Sequence, residues 1–248
     1  MIELVDVVKG FDGKAVIDGL SLIIPEGRIT AIIGLSGEGK SVLLKLLIGL
    51  LHPDSGKILV DGEDIAEMKE HDLIRVRRQF GMLFQGAALL DSLTVFDNLA
   101  LPLAEKHELP SETIAERVRL VLAEVGLKGV DEHFPDKLSG GMKKRVGLAR
   151  ALILEPKIIL FDEPTTGLDP ITDTAIHKLI KDTQHQFGYT AVIVSHDIPA
   201  IFAVADNVAM IYQGRIVEKG TPEEIQLSLS PVVQQFITGN LEGPIHIV

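Results

Sequence analysis

The run Gly34-Leu35-Ser36-Gly37-Glu38-Gly39-Lys40-Ser41 constrains this chain more than any other stretch. It fits the pattern G-x-x-x-x-G-K-S/T. It lies between an apolar run, Arg28-Ile29-Thr30-Ala31-Ile32-Ile33, and a helical pattern, Lys40-Ser41-Val42-Leu43-Leu44-Lys45-Leu46-Leu47. Strand, tight loop and helix are the context this pattern needs. Glycines let successive backbone N–H groups converge on phosphate oxygens at a helix N-terminus, where the dipole favours negative charge. The spacing then puts Lys40 at the β- and γ-phosphates of a nucleotide and the Ser41 hydroxyl on Mg2+. A plain glycine-rich turn with an exposed lysine is the alternative, and the flanks argue against it. A dinucleotide fingerprint fails, because Gly37 and Gly39 would require glycine at position 42, where valine stands.

Two further apolar runs share the strand signature. Lys157-Ile158-Ile159-Leu160-Phe161 ends in the carboxylates Asp162 and Glu163, and Thr190-Ala191-Val192-Ile193-Val194 ends in Ser195-His196-Asp197. Apolar strands without alternation suit a parallel sheet covered on both faces, and strands alternating with helices argue for an α/β core. Gly56-Lys57-Ile58-Leu59-Val60-Asp61-Gly62 adds an antiparallel signal closed by an Asp-Gly turn. From about Ser92 to Leu154 the pattern is helical, with no strand. Ser111 is expected to cap a helix with Ile114, Val118, Leu122 and Val125 on one face, ended by Gly126. Thr221-Pro222-Glu223-Glu224 has a cap, a proline at the first helical position and a capping-box Glu. No internal repeat or flexible linker breaks the chain.

Composition removes several function classes. The 248 residues are 46% apolar and 24% charged, ordinary globular values that exclude disordered and low-complexity types. Lys plus Arg number 24 against 35 Asp plus Glu, a net charge of −11, so nucleic acid has no global attraction to the chain. Arg75, Arg77, Arg78 and Lys143 to Arg145 are the local basic clusters, expected as solvated helix faces. The absence of cysteine excludes disulfides, thiolate catalysis and cysteine-based metal sites, and fits a reducing compartment. Met1-Ile2-Glu3-Leu4-Val5-Asp6 has no basic region followed by an apolar run, so no signal peptide is expected. The charge-free stretch Ile225 to Leu241 is too diluted by polar residues to span a membrane.

Taken alone, the remaining candidates keep two readings each. Asp162-Glu163 serve a cation and a water, or form a solvated strand end. His196 lies where parallel-sheet sites form, past the end of an apolar strand, yet it could equally cap or fill the core. Leu138-Ser139-Gly140-Gly141-Met142 opens a helix with Met142, Val146, Ala149 and Ile153 on its apolar face. Ser139 is a good N-cap, and the helix start either faces a ligand or is simply capped.

Taken together, these motifs resemble the ATP-binding subunits of ABC transporters over essentially the whole chain. Gly34 to Ser41 is similar to Walker A, Ile158 to Asp162 with Glu163 to Walker B, and Leu138 to Met142 to the ABC signature. Gln85 after Met82-Leu83-Phe84 matches the Q-loop, Gly167-Leu168-Asp169 the D-loop and His196 the switch histidine. Phe11 falls where the family places an adenine-stacking aromatic, or else fills the core. The resemblance implies an α/β P-loop NTPase (RecA-like) core with an antiparallel β subdomain and an inserted α-helical signature subdomain. The implied division is 1–85 with 157–224 as the core, 86–156 as the helical subdomain and 225–248 as a C-terminal helix and tail.

The implied catalytic residues are Glu163, His196 and Gln85. The implied contacts to ATP are Phe11, Gly34, Ser36, Gly37, Gly39, Lys40, Ser41, Val42, Ser139, Gly140, Gly141 and Asp169. Mg2+ would take Ser41, Gln85 and Asp162. Two positions depart from the family pattern: Met142 replaces the usual Gln of the signature, and Val42 replaces a frequent Ser or Thr.

A narrower resemblance points to the ATPases of lipid transporters that use MCE-domain proteins. Met82 through Asn98, the signature ending in Met142, Gly167 through Thr172, and Gln235-Phe236-Ile237 with Gly243-Pro244 carry it. It implies a homodimer on the cytoplasmic face of the bacterial inner membrane, held there by an integral-membrane permease. An MCE-domain lipid-binding protein and a small STAS-type regulator are further implied partners, and nucleic acid is not. The alternatives are an importer for a soluble nutrient and a permease-free ABC ATPase; no coiled-coil insertion or second ATPase module supports the latter.

Overall fold

The computed structural model of the chain describes residues 1–105 and 109–246. In chain order its elements are β1 (Ile2–Phe11), β2 (Lys14–Ile24), β3 (Ile29–Ile33), α1 (Lys40–Leu47), β4 (Ser55–Val60), β5 (Glu63–Asp64) and α2 (Glu70–Arg77). Then come β6 (Phe80–Leu83), α3 (Val95–Ala104), α4 (Ser111–Glu124), α5 (Gly140–Leu152), β7 (Ile158–Asp162) and α6 (Pro170–Phe187). The last are β8 (Thr190–Val194), α7 (Ile198–Phe202), β9 (Asn207–Tyr212), β10 (Arg215–Gly220), α8 (Pro222–Gln226) and α9 (Pro231–Thr238). Two compact units result: residues 1–77 with the chain from residue 190 onward, and residues 78–189.

In the first unit β3 runs parallel to β8 on one side and to β9 on the other, and β10 returns antiparallel to β9. Every residue of β3 and β8 is buried, Thr30 and Thr190 included, as suits mainly apolar strands covered on both faces. A separate antiparallel sheet has the order β2-β1-β4-β5. Its inward side chains alternate, with Ile2, Leu4, Ile17, Leu20, Leu22 and Ile24 buried. Asp61 and Gly62 both take left-handed backbone, at φ 50° and 84°, the geometry of the tight turn expected between β4 and β5. The capping box at Thr221 and Glu224 forms as the sequence predicts. From within α9, the buried side chain of Gln235 clasps the segment that follows the helix: its Oε1 accepts from the Ile245 N–H at 2.7 Å and its Nε2 donates to the Ile245 carbonyl at 3.0 Å.

In the second unit β6 and β7 are parallel, with Leu83 beside Phe161. Helices α3 to α5 lie between them in sequence, and no strand occurs over 92–154 among the described residues. The cap of α4 is one residue earlier than expected. Pro110 has extended backbone (ψ 148°) and its carbonyl receives the Ile114 N–H at 3.1 Å, so Ser111 is already helical and caps nothing with its side chain. The chain leading into α3 is pinned by Asn98, which is 1% exposed. Its Nδ2 donates to the carbonyls of Leu90, Leu93 and Thr94 at 2.9–3.2 Å, and its Oδ1 accepts from the Leu90 N–H at 2.8 Å. Asn98→Ala orphans these backbone groups and is expected to lower the unfolding free energy by about 2–4 kcal/mol, measurable by urea titration. A loss below about 0.5 kcal/mol would remove the staple role.

The basic clusters are not solvated faces as a set. Arg75 pairs with Glu63, and Arg77 with Glu70 and with the carbonyls of Ile48 and Gly49 at the end of α1. Lys144 is buried and donates to the Gln85 carbonyl, and Arg145 donates to the Val125 carbonyl at 2.7 Å. Arg77, Lys144 and Arg145 thus donate to backbone carbonyls, which buried chain requires to be paired. No described helix is long and apolar enough to cross a membrane.

Candidate functional site

The first unit places the phosphate loop at the carboxyl edge of β3. A Cβ at Gly34 would run into the Ile211 carbonyl, and one at Gly39, which caps α1 at φ 89°, would stand 2.9 Å from Val16 and Ile17. Both positions therefore exclude a side chain, whereas Gly37 has open space around it. Lys40 begins α1 and is 5% exposed. Its ammonium donates to the carbonyls of Gly34 at 2.8 Å and Leu35 at 2.6 Å, so the cation lies over the loop instead of in solvent. Glu38 reaches from the loop to accept from the Gln213 N–H. A curled loop, a helix N-terminus, a buried ammonium and a hydroxyl at Ser41 fit a magnesium-bound triphosphate. No cluster of three or more His, Asp or Glu suited to a metal occurs among the described residues. A phosphate-bound Mg2+ needs only one or two protein oxygens, so this donor set suffices.

His196 stands at the same edge of the sheet, because β8 lies beside β3 and the Ser195 N–H donates to the Ile32 carbonyl at 3.2 Å. It is exposed, and the capping of α7 falls to Asp197, which accepts from the Ala200 N–H. His196 therefore neither fills the core nor caps α7. Phe11 ends β1 and is 42% exposed, so it does not fill the core; the Lys9 ammonium lies 5.6 Å from its ring centroid.

The second unit brings Gln85 and the two carboxylates to one edge, since Gln85 follows β6, Asp162 ends β7 and Glu163 follows it, and the two strands are parallel. Gln85 Nε2 donates to Glu163 Oε2 at 3.4 Å, and the Thr166 hydroxyl donates to the same oxygen at 2.9 Å. Glu163 is held in left-handed backbone at φ 47°, a costly conformation for a residue with a Cβ and one concentrated at functional sites.

The signature and the D-loop meet within this unit. Ser139 caps α5, accepting from the Met142 N–H at 3.3 Å. A Cβ at Gly140 would lie 3.2 Å from Leu168, and one at Gly141 only 2.7 Å from Thr172. The two glycines thus serve close packing against Leu168 and Thr172. Asp169 caps α6 through the N–H groups of Ile171 and Thr172, each at 3.1 Å. The Thr172 hydroxyl, helped by these N–H groups, holds the Asp169 carboxyl below its ordinary pKa.

Sequence reasoning missed Thr166 and Lys144. Thr166 carried no signal. Lys144 carried a weak one: helical spacing aligns it with the small residues Gly147 and Ala151 on one face of α5.

Residues 17–166 match the ABC transporter family. The chain belongs to that family. It is an α/β ABC ATPase that uses ATP with Mg2+. It is 42% identical to the intermembrane phospholipid transport system ATP-binding protein MlaF of Escherichia coli K12, over 99% of this chain and 91% of that protein. Against MlaF of Haemophilus influenzae the identity is 40%, over 99% and 93%. The probable ribonucleotide transport ATP-binding protein mkl of Mycobacterium tuberculosis H37Rv is 43% identical over 98% of this chain and 68% of its own length. Among solved structures, a dimeric ATP-binding cassette in a post-hydrolysis state, bound to ADP and Pi, superposes on this ABC ATPase with a TM-score of 0.81 at 31% identity, covering 90% of this chain and 99% of the other. The cbiO1 protein of Clostridium perfringens, part of the cbiONQ transporter complex, gives 0.84 at 31% identity, covering 94% and 97%.

Proposed function

We propose that this chain is the ATP-hydrolysing subunit of a transporter that moves phospholipid between the inner and outer membranes of a bacterium. The observation that carries the reading is the 42% identity to MlaF across 99% of the chain. The subunit works as a dimer beneath a membrane permease, on the cytoplasmic face of the inner membrane. The permease is MlaE-like, with an MlaD-like MCE-domain protein and a small MlaB-like STAS regulator. Residues 1–85 with 157–224 act as the nucleotide-binding core, 86–156 as the helical signature segment and 225–248 as the C-terminal helix and tail.

In the dimer each ATP lies between the phosphate loop of one copy and the signature of the other. Gly34, Ser36, Gly37, Gly39, Ser41 and Val42 wrap the phosphates, Lys40 meets the β- and γ-phosphates, and Phe11 stacks on adenine. Ser139, Gly140 and Gly141 of the partner copy close over the γ-phosphate, beside Asp169. Ser41, Gln85 and Asp162 hold Mg2+, which offsets the phosphate charge. Glu163 takes a proton from the attacking water, and His196 holds the γ-phosphate in line. Closure depends on the γ-phosphate, so its loss favours reopening.

A second reading, soluble cargo, is favoured by one observation: the 43% identity to a probable ribonucleotide transport protein. Capture of tagged Glu163→Gln chain from its native cells in mild detergent, with identification of proteins and extracted lipid, separates the two. A permease, an MCE-domain protein and enriched phospholipid are expected. A permease with a soluble binding protein and no lipid would transfer the assignment to soluble cargo.

A further inference from the structure

Helix α5 turns one face toward the segment that carries Gln85. Lys144 on that face is 5% exposed, and its ammonium donates to the Gln85 carbonyl. One turn on, a Cβ at Gly147 would press into Leu83 and stand 3.2 Å from Ala87. One turn further, Arg150 donates to the carbonyls of Ala87 at 2.8 Å and Ala88 at 2.7 Å. Ala87 and Ala88 are both left-handed, at φ 59° and 50°, a backbone that persists only when its surroundings enforce it. The spacing i, i+3, i+6 puts all three fastenings on one side of the helix.

A buried ammonium requires a compensating charge and hydrogen-bond acceptors. Burial pushes the Lys144 ammonium below the ordinary lysine range, and the Glu163 carboxylate pushes it back up. The same Glu163 receives the Gln85 amide. One buried cation thus touches the backbone of Gln85 and is within electrostatic reach of the carboxylate to which the Gln85 side chain donates.

We infer that Lys144 is a positioning residue for ATP hydrolysis, given the roles proposed above for Gln85 and Glu163. It holds the Gln85 backbone from the inside and acts on Glu163 through its charge, and so sets the place of both groups without touching nucleotide or water. It also ties α5, whose first turn is the signature, to the hydrolytic carboxylate of the same copy.

Lys144→Met keeps most of the stem volume and removes charge and donors. In the complex captured with the full-length chain, kcat is expected to fall about tenfold while KM for ATP stays within about twofold, because misplaced groups cost rate and not binding. Lys144→Arg restores a cation with donors and is expected to recover at least about half of the parent kcat. The chain has no tryptophan, so in the isolated chain Phe84→Trp places a single, selectively excitable tryptophan beside Gln85. In that background Lys144→Met is expected to lower the fluorescence anisotropy as the segment loosens. Parent kcat in Lys144→Met, unchanged anisotropy, or a rate loss that Lys144→Arg does not recover would each overturn the inference. Should Lys144→Met fail to fold, Lys144→Gln replaces it: reduced kcat at unchanged KM is expected, and parent kcat overturns. Glu163→Gln is measured alongside. If it loses turnover while Lys144→Met does not, only the role of Lys144 falls. If it hydrolyses at the parent rate, the proposed site falls, and Lys144 has no base to position.

Discussion

Glu163→Gln should keep ATP binding and slow turnover by about 10²- to 10⁴-fold, the usual worth of a positioned general base. The substitution keeps side-chain size and replaces one oxygen by an amide, so the local frame survives. What changes is charge and basicity. Thr166 and Gln85 both direct donors at Oε2, an arrangement suited to a carboxylate. An amide there turns either an oxygen to these donors or an N–H against them, and in neither orientation can it take a proton from water. Lys144 also loses the opposite charge that offsets its burial. Initial rates at saturating ATP, with a nucleotide titration of the same preparation, separate rate from binding. Near-parent hydrolysis would remove Glu163 as the base.

Lys40→Ala should weaken MgATP binding by about 10²-fold or more, which corresponds to the loss of two charge-assisted hydrogen bonds to phosphate. Its ammonium is already gathered over the loop by the Gly34 and Leu35 carbonyls, so little ordering remains to be done when phosphate arrives. Alanine leaves those carbonyls without this donor and removes the one buried cation of the loop. A fluorescent-nucleotide titration reads the loss directly, and unchanged affinity would contradict the phosphate-cradle assignment. Thermal unfolding without nucleotide should shift much less than the affinity does, since the helix that Lys40 begins retains its buried Leu43, Leu44, Leu46 and Leu47.

Much of this was legible in sequence because short-range rules govern it. The strands 29–33, 158–162 and 190–194 are apolar apart from Thr30, Thr190 and the terminal Asp162, and covered parallel strands have few other ways to read. The phosphate loop, the caps at Ser139 and Thr221 and the Asp-Gly turn are encoded within four to eight neighbouring residues. Contacts across sequence distance were not legible. Locally, only its alignment with the small residues Gly147 and Ala151 hints that Lys144 is buried, because its partners are Gln85, 59 residues away, and the carboxylate after β7. The burden on Gly140 and Gly141 was likewise hidden, since Leu168 and Thr172 create it. Ser111 misled because a proline just before it already supplied the extended cap geometry. The left-handed Glu163 had no compositional sign, for the backbone there is not one that glutamate favours by itself.

The fastening of residues 83–88 to α5 also bears on inheritance. Lys144, Gly147 and Arg150 each answer a feature of that segment: a carbonyl, a shape or a strained pair. Helix and segment therefore form one unit of recombination although they are far apart in the chain. A chimera that borrows α5 from a distant relative and keeps its own 83–88 would assemble with mismatched halves. Second-site revertants of a bulkier residue at 147 should accordingly cluster at Leu83 and Ala87, the side chains that would have to make room.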